Sequence, residues 1–418
     1  MNPQRFPSES RRCLAHALGN NRGTVLVITL FVVALVTILV LEYHLDATVE
    51  VELTDNYANN VRAYHLALSG LQFARAILEQ DDPASDAMSD LWYGLNAFGC
   101  VSPEQLLAMV QTVAEEGPDL FGARETEPEI PADSSGSACV KLSIVDEARK
   151  LPLNVLAVHA NQKDTLFEQW RTIFGNLFAE LEIEEDALNA LIDWMDSEDR
   201  ENEAHEDGGG EDEYYEGLQP PYKTPDRPLE MPGELRLIRH FTCETLAKLF
   251  PERECKDMPD TDLGTNEYLT TYGEPLSNSG ENPNSSGQNP NNSGQNPNNS
   301  RVSLNRVNIN TANEVVLRAI TQGNLTCIEE IMDKRLSVEG QVISEPVQNV
   351  SDLSGCGDID QVADVKSTYF RIESQAVIDG LIKKKIVAVL KRGASGGLGG
   401  GAPGSAAGAF TMVYFKVE

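Results

Sequence analysis

The feature that most constrains this sequence is an uncharged apolar run from Thr24 to Leu41, TVLVITLFVVALVTILVL. As a helix rising about 1.5 Å per residue, a run of this length just spans the hydrocarbon core of a bilayer. Residues 1–23, which precede it, carry four arginines and one glutamate, and Glu42 follows it. Because a positively charged flank stays on the cytoplasmic side, we expect the remainder of the chain to lie outside the cytoplasm.

Three interpretations of this N-terminus compete. A secretory signal peptide has a shorter apolar core and a small-x-small cleavage site, which Glu42-Tyr43-His44 does not provide. A plain single-pass anchor stays open. The third interpretation starts from Gly23, because a basic leader ending in glycine before an apolar helix resembles the cleavage site of type IV prepilins and pseudopilins. That resemblance implies cleavage by a prepilin peptidase between Gly23 and Thr24 and methylation of Thr24. Ile28 stands where most of those proteins have glutamate.

Helical periodicity continues beyond the apolar run. Six apolar or aromatic residues recur at spacings of three, four or seven, which predicts one stripe on a helix, and Asp81-Asp82-Pro83 then ends the pattern. We therefore predict a single helix over residues 24–80, membrane-spanning at 24–41. An ordinary core helix explains the second half equally well. The stripe consists of Tyr57, Val61, Tyr64, Leu68, Leu71 and Leu78.

Charge and cysteine content exclude several kinds of site. The chain has 65 acidic and 33 basic residues, a formal net charge of −32, which opposes binding to nucleic acid and suits cations. No C-x-x-C pair occurs, so a zinc ribbon or a thioredoxin-type site is not expected. Six cysteines follow the leader, and disulfides are possible on the oxidising side of the membrane. Pairing of neighbours is one of fifteen connectivities: Cys100 with Cys139, Cys243 with Cys255, and Cys327 with Cys356.

The sequence patterns in the rest of the chain predict a small antiparallel sheet that is interrupted by a helical insertion. VKLSIVD and KLPLN predict two short strands near 140–153, helical signals dominate 154–250, and strand patterns return at 368–378, 386–390 and 410–417. Three tandem Asn/Ser/Gly/Pro units within 277–300 predict disorder, because they cannot bury apolar surface. Thr311 and Glu314 form a T-x-x-E pattern, which predicts a capped helix after VNINTA.

An acidic loop is the strongest candidate site. Between Glu180 and Glu216 there are 17 acidic residues and one basic residue, Arg200. Asp193 and Asp196 share a face if the helix before them continues, and dense carboxylates suit Ca²⁺, which takes six to eight oxygen ligands. The spacing is not that of an EF-hand, and a solvated acidic loop is the alternative.

No pattern in the sequence indicates an enzyme. The G-x-S-x-G, H-E-x-x-H, P-loop and Rossmann patterns are all missing from the sequence. Paired carboxylates hydrolyse glycosides in aromatic-lined clefts, and the aromatic content here is 6%. We therefore predict a non-enzymatic protein.

Several segments together carry a family resemblance. After the leader and helix come VDEARKLPLNVL, LIDWMDSED, GEDEYY, PPYKTPDRPL, GELRLI and VNINTANEVVL, in that order. The chain thereby resembles the K-type minor pseudopilins of bacterial type II secretion, whose members generally lack the glutamate replaced here by Ile28. There are three departures from the family pattern: Gly210 in a usual Ala-Glu-Asp return, a loop with additional acids and glycines before it, and the insertion of the repeat at 277–300 and the Gly-rich linker at 393–409.

The resemblance implies a fold, a place and partners. The fold class is α+β, a pilin-like fold with a long N-terminal helix, a small antiparallel sheet and a large inserted α-helical domain. The protein would sit in the bacterial inner membrane with its body in the periplasm, at the tip of the pseudopilus with I- and J-type minor pseudopilins. There it would prime assembly and support protein export. The resemblance also implies calcium in the acidic loop, carried over to Asp193, Asp196, Asp199, Glu211 and Asp212.

These interpretations define an expected organisation and leave one alternative. A single-pass, membrane-anchored periplasmic binding or processing protein outside any filament also fits the N-terminus. The expected segments are a leader (1–23), the helix (24–80), a first pilin part (81–153), an inserted helical domain (154–365) with acidic loop 193–216 and repeat 277–300, and C-terminal strands (366–418) with a Gly-rich linker at 393–409.

Overall fold

The computed structural model describes residues 21–81, 84–116, 138–157, 165–196, 212–250, 266–273, 305–335, 346–357, 359–393 and 410–418. Several predictions fall outside these described residues. They concern residues 1–20 of the leader, the repeat at 277–300, nearly all of the linker at 393–409, and Asp199, Glu211 and Cys255.

The described residues form the following helices and strands, given in chain order. The helices are α1 (Asn21–Gln80), α2 (Leu91–Gly94), α3 (Pro103–Glu116), α4 (Thr165–Glu180), α5 (Glu185–Met195), α6 (Asp212–Glu216), α7 (Cys243–Leu249), α8 (Glu314–Ile320) and α9 (Leu325–Arg335). The strands are β1 (Cys139–Asp146), β2 (Leu151–Pro152), β3 (Leu269–Thr270), β4 (Val307–Asn308), β5 (Ala363–Asp364), β6 (Tyr369–Ile378), β7 (Leu381–Arg392) and β8 (Phe410–Val417). Short 3₁₀ helices lie at Leu95–Ala97, Glu147–Arg149, Leu153–Leu156, Pro232–Leu237 and Val350–Asp352.

The N-terminal helix α1 ends at Gln80, just before the Asp81-Asp82-Pro83 sequence that was expected to end it. Proline lacks an N–H donor and disfavours helical geometry in the residue before it. The chain divides into two compact units, one reaching Arg62 and one beginning at Ala63. In the first unit, the large apolar side chains from Val25 to Leu41 are 45–67% exposed. Among the described residues, one helix, Gly23–Gln80, is long and apolar enough to cross a membrane.

The second part of α1 buries only part of the predicted stripe. Tyr57 and Val61 are exposed, and Tyr64 and Leu68 are only partly buried. Leu71 and Leu78 are buried as predicted, and alanines that the prediction did not include are buried with them. These alanines are Ala63, Ala67 and Ala74.

A four-stranded antiparallel sheet packs against this part of α1, in the order β1-β6-β7-β8. β6 and β7 form a hairpin at Asp379-Gly380, where both residues have positive φ (54° and 74°) as a two-residue hairpin turn requires. The core between helix and sheet includes Leu71, Ile144 and Phe370. The sheet is therefore built from segments on either side of the helical region, and the predicted α+β fold class is confirmed.

The helical region has its own hydrophobic core, distinct from the core beneath the sheet. It is centred on α4, whose aromatic side chains Phe167, Trp170, Phe174 and Phe178 are all essentially inaccessible to solvent. Both cores belong to the same compact unit.

Two local predictions were wrong in detail. KLPLN does not form a strand beside β1; only Leu151–Pro152 is extended, and this short β2 pairs in parallel with β3 in a separate sheet. The cap of α8 is Asn313, whose side chain accepts a hydrogen bond from the Val316 amide at 2.8 Å, and not Thr311. Thr311 makes a long-range contact instead, described below.

Disulfides connect neighbouring cysteines. Cys100 bonds to Cys139, and Cys327 bonds to Cys356. Cys243 is also disulfide-bonded. The first of these bonds ties the segment before α3 to the start of β1.

Candidate functional site

Two of the segments that carry the family resemblance meet at one buried carboxylate. Asp146, at the end of β1 in VDEARK, is almost completely buried. Its Oδ2 accepts hydrogen bonds from the Thr311 hydroxyl (2.6 Å), the Ser367 hydroxyl (2.5 Å) and the Asn308 amide (3.1 Å). Thr311 and Asn308 belong to VNINTA. The polar residues of both segments therefore join the sheet to the helical region.

A second group of carboxylates lies beside this junction. The carboxylate oxygens of Asp81, Asp86 and Asp90 lie within 4.8 Å of one another. Arg392, at the end of β7, donates to both oxygens of Asp86 (2.7 and 2.8 Å) and to Asp81 (3.2 Å). Asp86 also accepts a hydrogen bond from the Ser367 amide at 2.7 Å. Two of the three acidic side chains thus bind one guanidinium, and the third, Asp90, accepts from the Ala87 amide and from Trp92 Nε1.

Burial controls the protonation of these acids. It raises the pKa of Asp81 to about 9, with further increases from the charges of Asp90 and Asp86. Burial also raises the pKa values of Asp90 and Asp146 to about 6. A protonated Asp81 can donate to Asp86, which leaves two ionisable carboxyl groups, those of Asp86 and Asp90, beside one guanidinium. Sequence reasoning missed this group, because Asp81 and Arg392 are 311 residues apart.

A buried ion cluster stabilises the turn after β1. Glu147 accepts from Lys150 Nζ at 3.1 Å and from Arg371 Nε at 2.7 Å, and Glu147 and Lys150 are nearly inaccessible. Burial alone would raise the pKa of Glu147, but the charges of Lys150 and Arg371 lower it to about 2. The charged residues Glu147 and Lys150 of VDEARK thus stabilise the folded turn. They compensate one another in a site from which water is excluded.

Asn154 has a similar role at the end of the same segment. Its Nδ2 donates to the carbonyls of Leu229 (3.0 Å) and Thr271 (2.8 Å), and its Oδ1 accepts from the Leu229 amide at 2.8 Å. Leu229 lies in the PPYKTPDRPL segment, so a third segment of the resemblance is held by the first.

The acidic loop begins at the C-terminal end of α5. Asp193 lies in the last turn of this helix and Asp196 caps it, with its amide donating to the Ile192 carbonyl at 2.9 Å. Both aspartates are only 3% exposed, and the last turn carries no basic residue. The C-terminal end of a helix carries partial negative charge, which is unfavourable for carboxylates. Two carboxyl groups are thus buried at the negative end of this helix.

Asp212 marks the return of the loop at the start of α6. Its Oδ2 accepts from Lys223 Nζ at 2.9 Å, and its Oδ1 accepts from the Thr224 amide and hydroxyl at 3.0 and 3.1 Å. The hydrogen bond from Lys223 lowers the pKa of Asp212, so this carboxylate is ionised. Lys223 also pairs with Glu216 at 2.7 Å.

Aromatic packing fixes α5 against α6. The rings of Trp194 and Tyr215 are in edge contact, with centroids 5.1 Å apart, and Tyr222 packs on Tyr215 at 5.3 Å. The Tyr215 hydroxyl accepts from the Arg239 amide at 3.1 Å. Burial raises the pKa of Tyr215 to about 12, and the charge of Asp193 contributes to that shift. Asp193 therefore lies close to the residues that follow Asp212.

Among the described residues, the groups of three or more potential metal ligands whose atoms lie within 4.8 Å of one another do not include Asp193, Asp196 and Asp212 together. Asp193, Asp196 and Asp212 offer carboxylate oxygens, which Ca²⁺ prefers, and the two aspartates at the end of α5 are buried at its negative end. Asp199 and Glu211 lie outside the described residues. Glu184, Asp186 and His240, by contrast, do bring their ligand atoms within this distance, and the two acids are exposed.

Comparison with known proteins confirms the predicted resemblance. Residues 150–252 match the first-domain family model of Type II secretion system (T2SS), protein K. This region runs from Lys150 through the acidic loop to α7. The chain is therefore similar to protein K of type II secretion systems, with the family model covering this region.

Two relatives extend the comparison. Type II secretion system protein K of Pseudomonas aeruginosa is 24% identical over 217 residues, covering 52% of this chain and 57% of the relative. The Aeromonas hydrophila protein of the same name is 23% identical over 232 residues, covering 55% and 62%. The chain thus matches less than two thirds of either relative's length. A solved GspK-GspI-GspJ complex from enterotoxigenic Escherichia coli aligns at 15% identity and a TM-score of 0.48, covering 87% of this chain and 99% of that chain.

Proposed function

We propose that this chain is a minor pseudopilin at the tip of a type II secretion pseudopilus, where it primes filament assembly and supports protein export across the outer membrane. One observation carries the proposal most directly. An exposed apolar helix continues, without a break, into a half that packs on an antiparallel sheet. The apolar half must be covered by lipid before assembly and by other helices within a filament, because so large an exposed apolar surface is unfavourable in water.

The N-terminus supports maturation by a prepilin peptidase. Gly23 and Thr24 lie at the start of the exposed apolar segment of α1. Cleavage between them would remove the basic leader and leave a methylated Thr24. The mature protein would then be a single-pass protein of the bacterial inner membrane with its body in the periplasm, a position in which its disulfides are stable.

The proposed partners are the I- and J-type minor pseudopilins, as the family resemblance implies. The test is assembly of the full chain, in detergent, with the I- and J-type proteins of the same organism, measured by size-exclusion chromatography with light scattering. We expect one complex that contains all three proteins. Separate elution at micromolar concentration would contradict the tip assignment and favour a membrane-anchored protein outside any filament.

The role proposed here requires no catalysis. The acids described above act on protein groups, since Asp146 and Asp86 bind hydroxyl, amide and guanidinium donors. Their arrangement holds the helical region on the sheet, which is what a structural subunit needs.

Calcium binding by the acidic loop is a separate part of the proposal. Asp193, Asp196 and Asp212 would hold the ion, with Asp199 and Glu211 contributed by the loop between them. When bound, Ca²⁺ would neutralise the buried carboxylates and fix the path of the chain between α5 and α6.

Chelation tests this part of the proposal. We expect EDTA to lower the melting temperature of the full chain and excess Ca²⁺ to restore it. Asp193→Asn should abolish that response, whereas Glu185→Gln, an exposed acid at the other end of α5, should preserve it. An EDTA-insensitive melt, together with no calcium by elemental analysis, would refute the metal site.

A further inference from the structure

The outermost strand of the sheet has an open edge. β8 pairs with β7 along one side, from Ile386 opposite Val417 to Arg392 opposite Phe410. Among the described residues, no strand pairs with its other side. The opposite edge of the sheet, β1, differs in having an isolated bridge from Val101 to Val140.

The register shows which backbone groups face the open side. Lys385 and Glu418 exchange both backbone hydrogen bonds, at 3.0 and 2.8 Å. Hydrogen-bonded and non-hydrogen-bonded pairs alternate along an antiparallel ladder. The N–H and C=O groups of Phe415 and Val417 therefore point away from β7, towards the open edge.

The side chains of β8 leave the core face of the sheet incompletely covered. Met412, Phe415 and Val417 lie opposite Leu390, Ala388 and Ile386, which are buried beneath α1. Yet the three β8 side chains are 38–42% exposed. The apolar face of the sheet thus continues beyond the area that the helix covers. An edge strand protected against association usually carries charge there, and this strand presents apolar side chains.

The same part of the chain is basic in an acidic protein. Residues 366–418 contain eight Lys and Arg against three Asp and Glu, a charge of +5 in a chain of −32. Lys383 and Lys384, at the hairpin beside the end of β8, form no ion pair among the described residues, and their neighbours Leu381 and Ile382 are about 60% exposed. The edge is therefore apolar with a cationic end, which complements an extended segment with apolar and acidic side chains.

We infer that β8 is the docking edge for an extended, acidic strand of another pseudopilin subunit. The incoming strand would bond to the backbone of Phe415 and Val417, cover the exposed apolar side chains on the core face, and place carboxylates against Lys383 and Lys384. Strand addition of this kind takes affinity from backbone hydrogen bonds and specificity from side-chain contacts. A second copy of this chain is a poor occupant, because two bodies of charge −32 repel each other. The inference rests on the proposed function and names the surface through which it acts.

Hydrogen–deuterium exchange of the full chain in nanodiscs tests the site, with the I- and J-type proteins as the probe. We expect the segment containing the amides of Phe415 and Val417 to exchange at least tenfold more slowly when these partners are added. Nanodiscs without partners are the control. If these amides exchange equally slowly in nanodiscs without partners, the membrane and not a partner covers the surface, and the proposal is overturned.

A backbone variant separates strand addition from ordinary side-chain contact. Phe415→Pro removes the outward-facing donor, and proline is tolerated at an edge where the N–H faces solvent. Phe415→Thr shortens the side chain but keeps the N–H. We expect partner affinity to fall at least tenfold further in Phe415→Pro than in Phe415→Thr, at unchanged melting temperature. Equal affinities of the two variants would overturn the proposal.

Charge reversal at the cationic end of the edge provides an independent test of the proposed surface. Lys383→Glu with Lys384→Glu should weaken partner binding at least tenfold, while Lys366→Glu, an exposed lysine before β6, should change it less than twofold. Partner binding that is unaffected by all of these variants leaves the proposed function standing and refutes the β8 surface. Failure of the parent chain to bind either partner refutes the proposed function itself. Partner-free self-association that Phe415→Pro abolishes would show that a second copy is the occupant.

Discussion

Gly70 controls how closely α1 approaches its sheet. A Cβ built at this position would lie 2.4 Å from the Ser374 hydroxyl, 2.6 Å from Val140 Cγ1 and 3.0 Å from Leu142 Cδ2. Ser374 is fully buried on β6 and donates to the Ala67 carbonyl at 2.7 Å, so it holds the helix against the sheet. A methyl group therefore requires the buried side chains of Ser374 and Val140 to shift, or the helix and sheet to move apart.

The expected cost of Gly70→Ala follows from three contributions. Alanine is favoured over glycine within a helix by about 1 kcal/mol. Overpacking of a core costs about 1–3 kcal/mol, and displacing the buried Ser374 hydroxyl from its acceptor costs about 1–3 kcal/mol more. We therefore expect a net destabilisation of about 1–5 kcal/mol, and its midpoint near 3 kcal/mol corresponds to a fall in melting temperature of roughly 5 °C.

Thermal unfolding of the full chain in detergent, followed by circular dichroism, measures this effect. Gly175→Ala is the matched control, because Gly175 lies within α4 and a Cβ there meets nothing within 4 Å. It should stabilise by about 0.5–1 kcal/mol. Gly70→Ala combined with Ser374→Ala should recover part of the loss, since the closest contact is removed. If Gly70→Ala raised the melting temperature as Gly175→Ala does, the close packing of helix and sheet would be refuted.

Two further predictions concern buried charges. Because burial raises the pKa of Asp81 from 3.8 to about 9, the folded state binds a proton that the unfolded state releases, so the parent loses stability as pH rises from about 4 to 9. Asp81→Asn should therefore match the parent at pH 4 in melting temperature and exceed it increasingly up to pH 9, whereas the exposed Asp333→Asn should follow the parent; a constant difference across this range would contradict the reasoning. Arg335 is 7% exposed, and its donors within the described part of the chain reach only the Met332 and Met88 sulfurs (3.7 and 3.8 Å); burial lowers its pKa to about 10. Arg335→Met should raise the free energy of unfolding in denaturant titrations by about 1 kcal/mol, because a buried charge without an anionic partner is unfavourable, and a loss of stability would show that the guanidinium is needed.

Local pattern was sufficient for much of the fold. The uncharged run and the periodicity after it predict one helix, and that helix ends where the Asp81-Asp82-Pro83 sequence indicates. Alternating apolar residues and the Asp379-Gly380 turn predict the β6–β7 hairpin, whose backbone has the required positive φ values. These features depend on residues that are neighbours along the chain.

Features that depend on contacts between distant residues could not be predicted from the sequence. Periodicity favours large apolar residues as the buried stripe of α1, but Ala63 and Ala67 are buried because the sheet lies so close. Thr311 matches the T-x-x-E pattern, yet its hydroxyl binds Asp146, 165 residues away, and Asn313 caps the helix instead. No local signal distinguishes a capping threonine from one recruited by a tertiary contact.

The candidate metal site, too, was only partly predictable from the sequence. The density of acids identifies the loop, and the helical spacing of Asp193 and Asp196 places them together at the end of α5. That both are buried follows from the packing of Trp194 on Tyr215, which joins segments on either side of the loop. The Asp81, Asp86 and Asp90 group has no comparable density in the sequence, and the binding of Asp81 and Asp86 to Arg392 is visible only in three dimensions.

The N-terminal residue of the mature chain tests the central claim most directly. Mass spectrometry of the protein extracted from membranes of its native host should find a chain that begins at methylated Thr24 and has lost residues 1–23. A chain that retains those residues, in cells whose other pilin-like proteins are processed, would contradict the assignment to a pseudopilus.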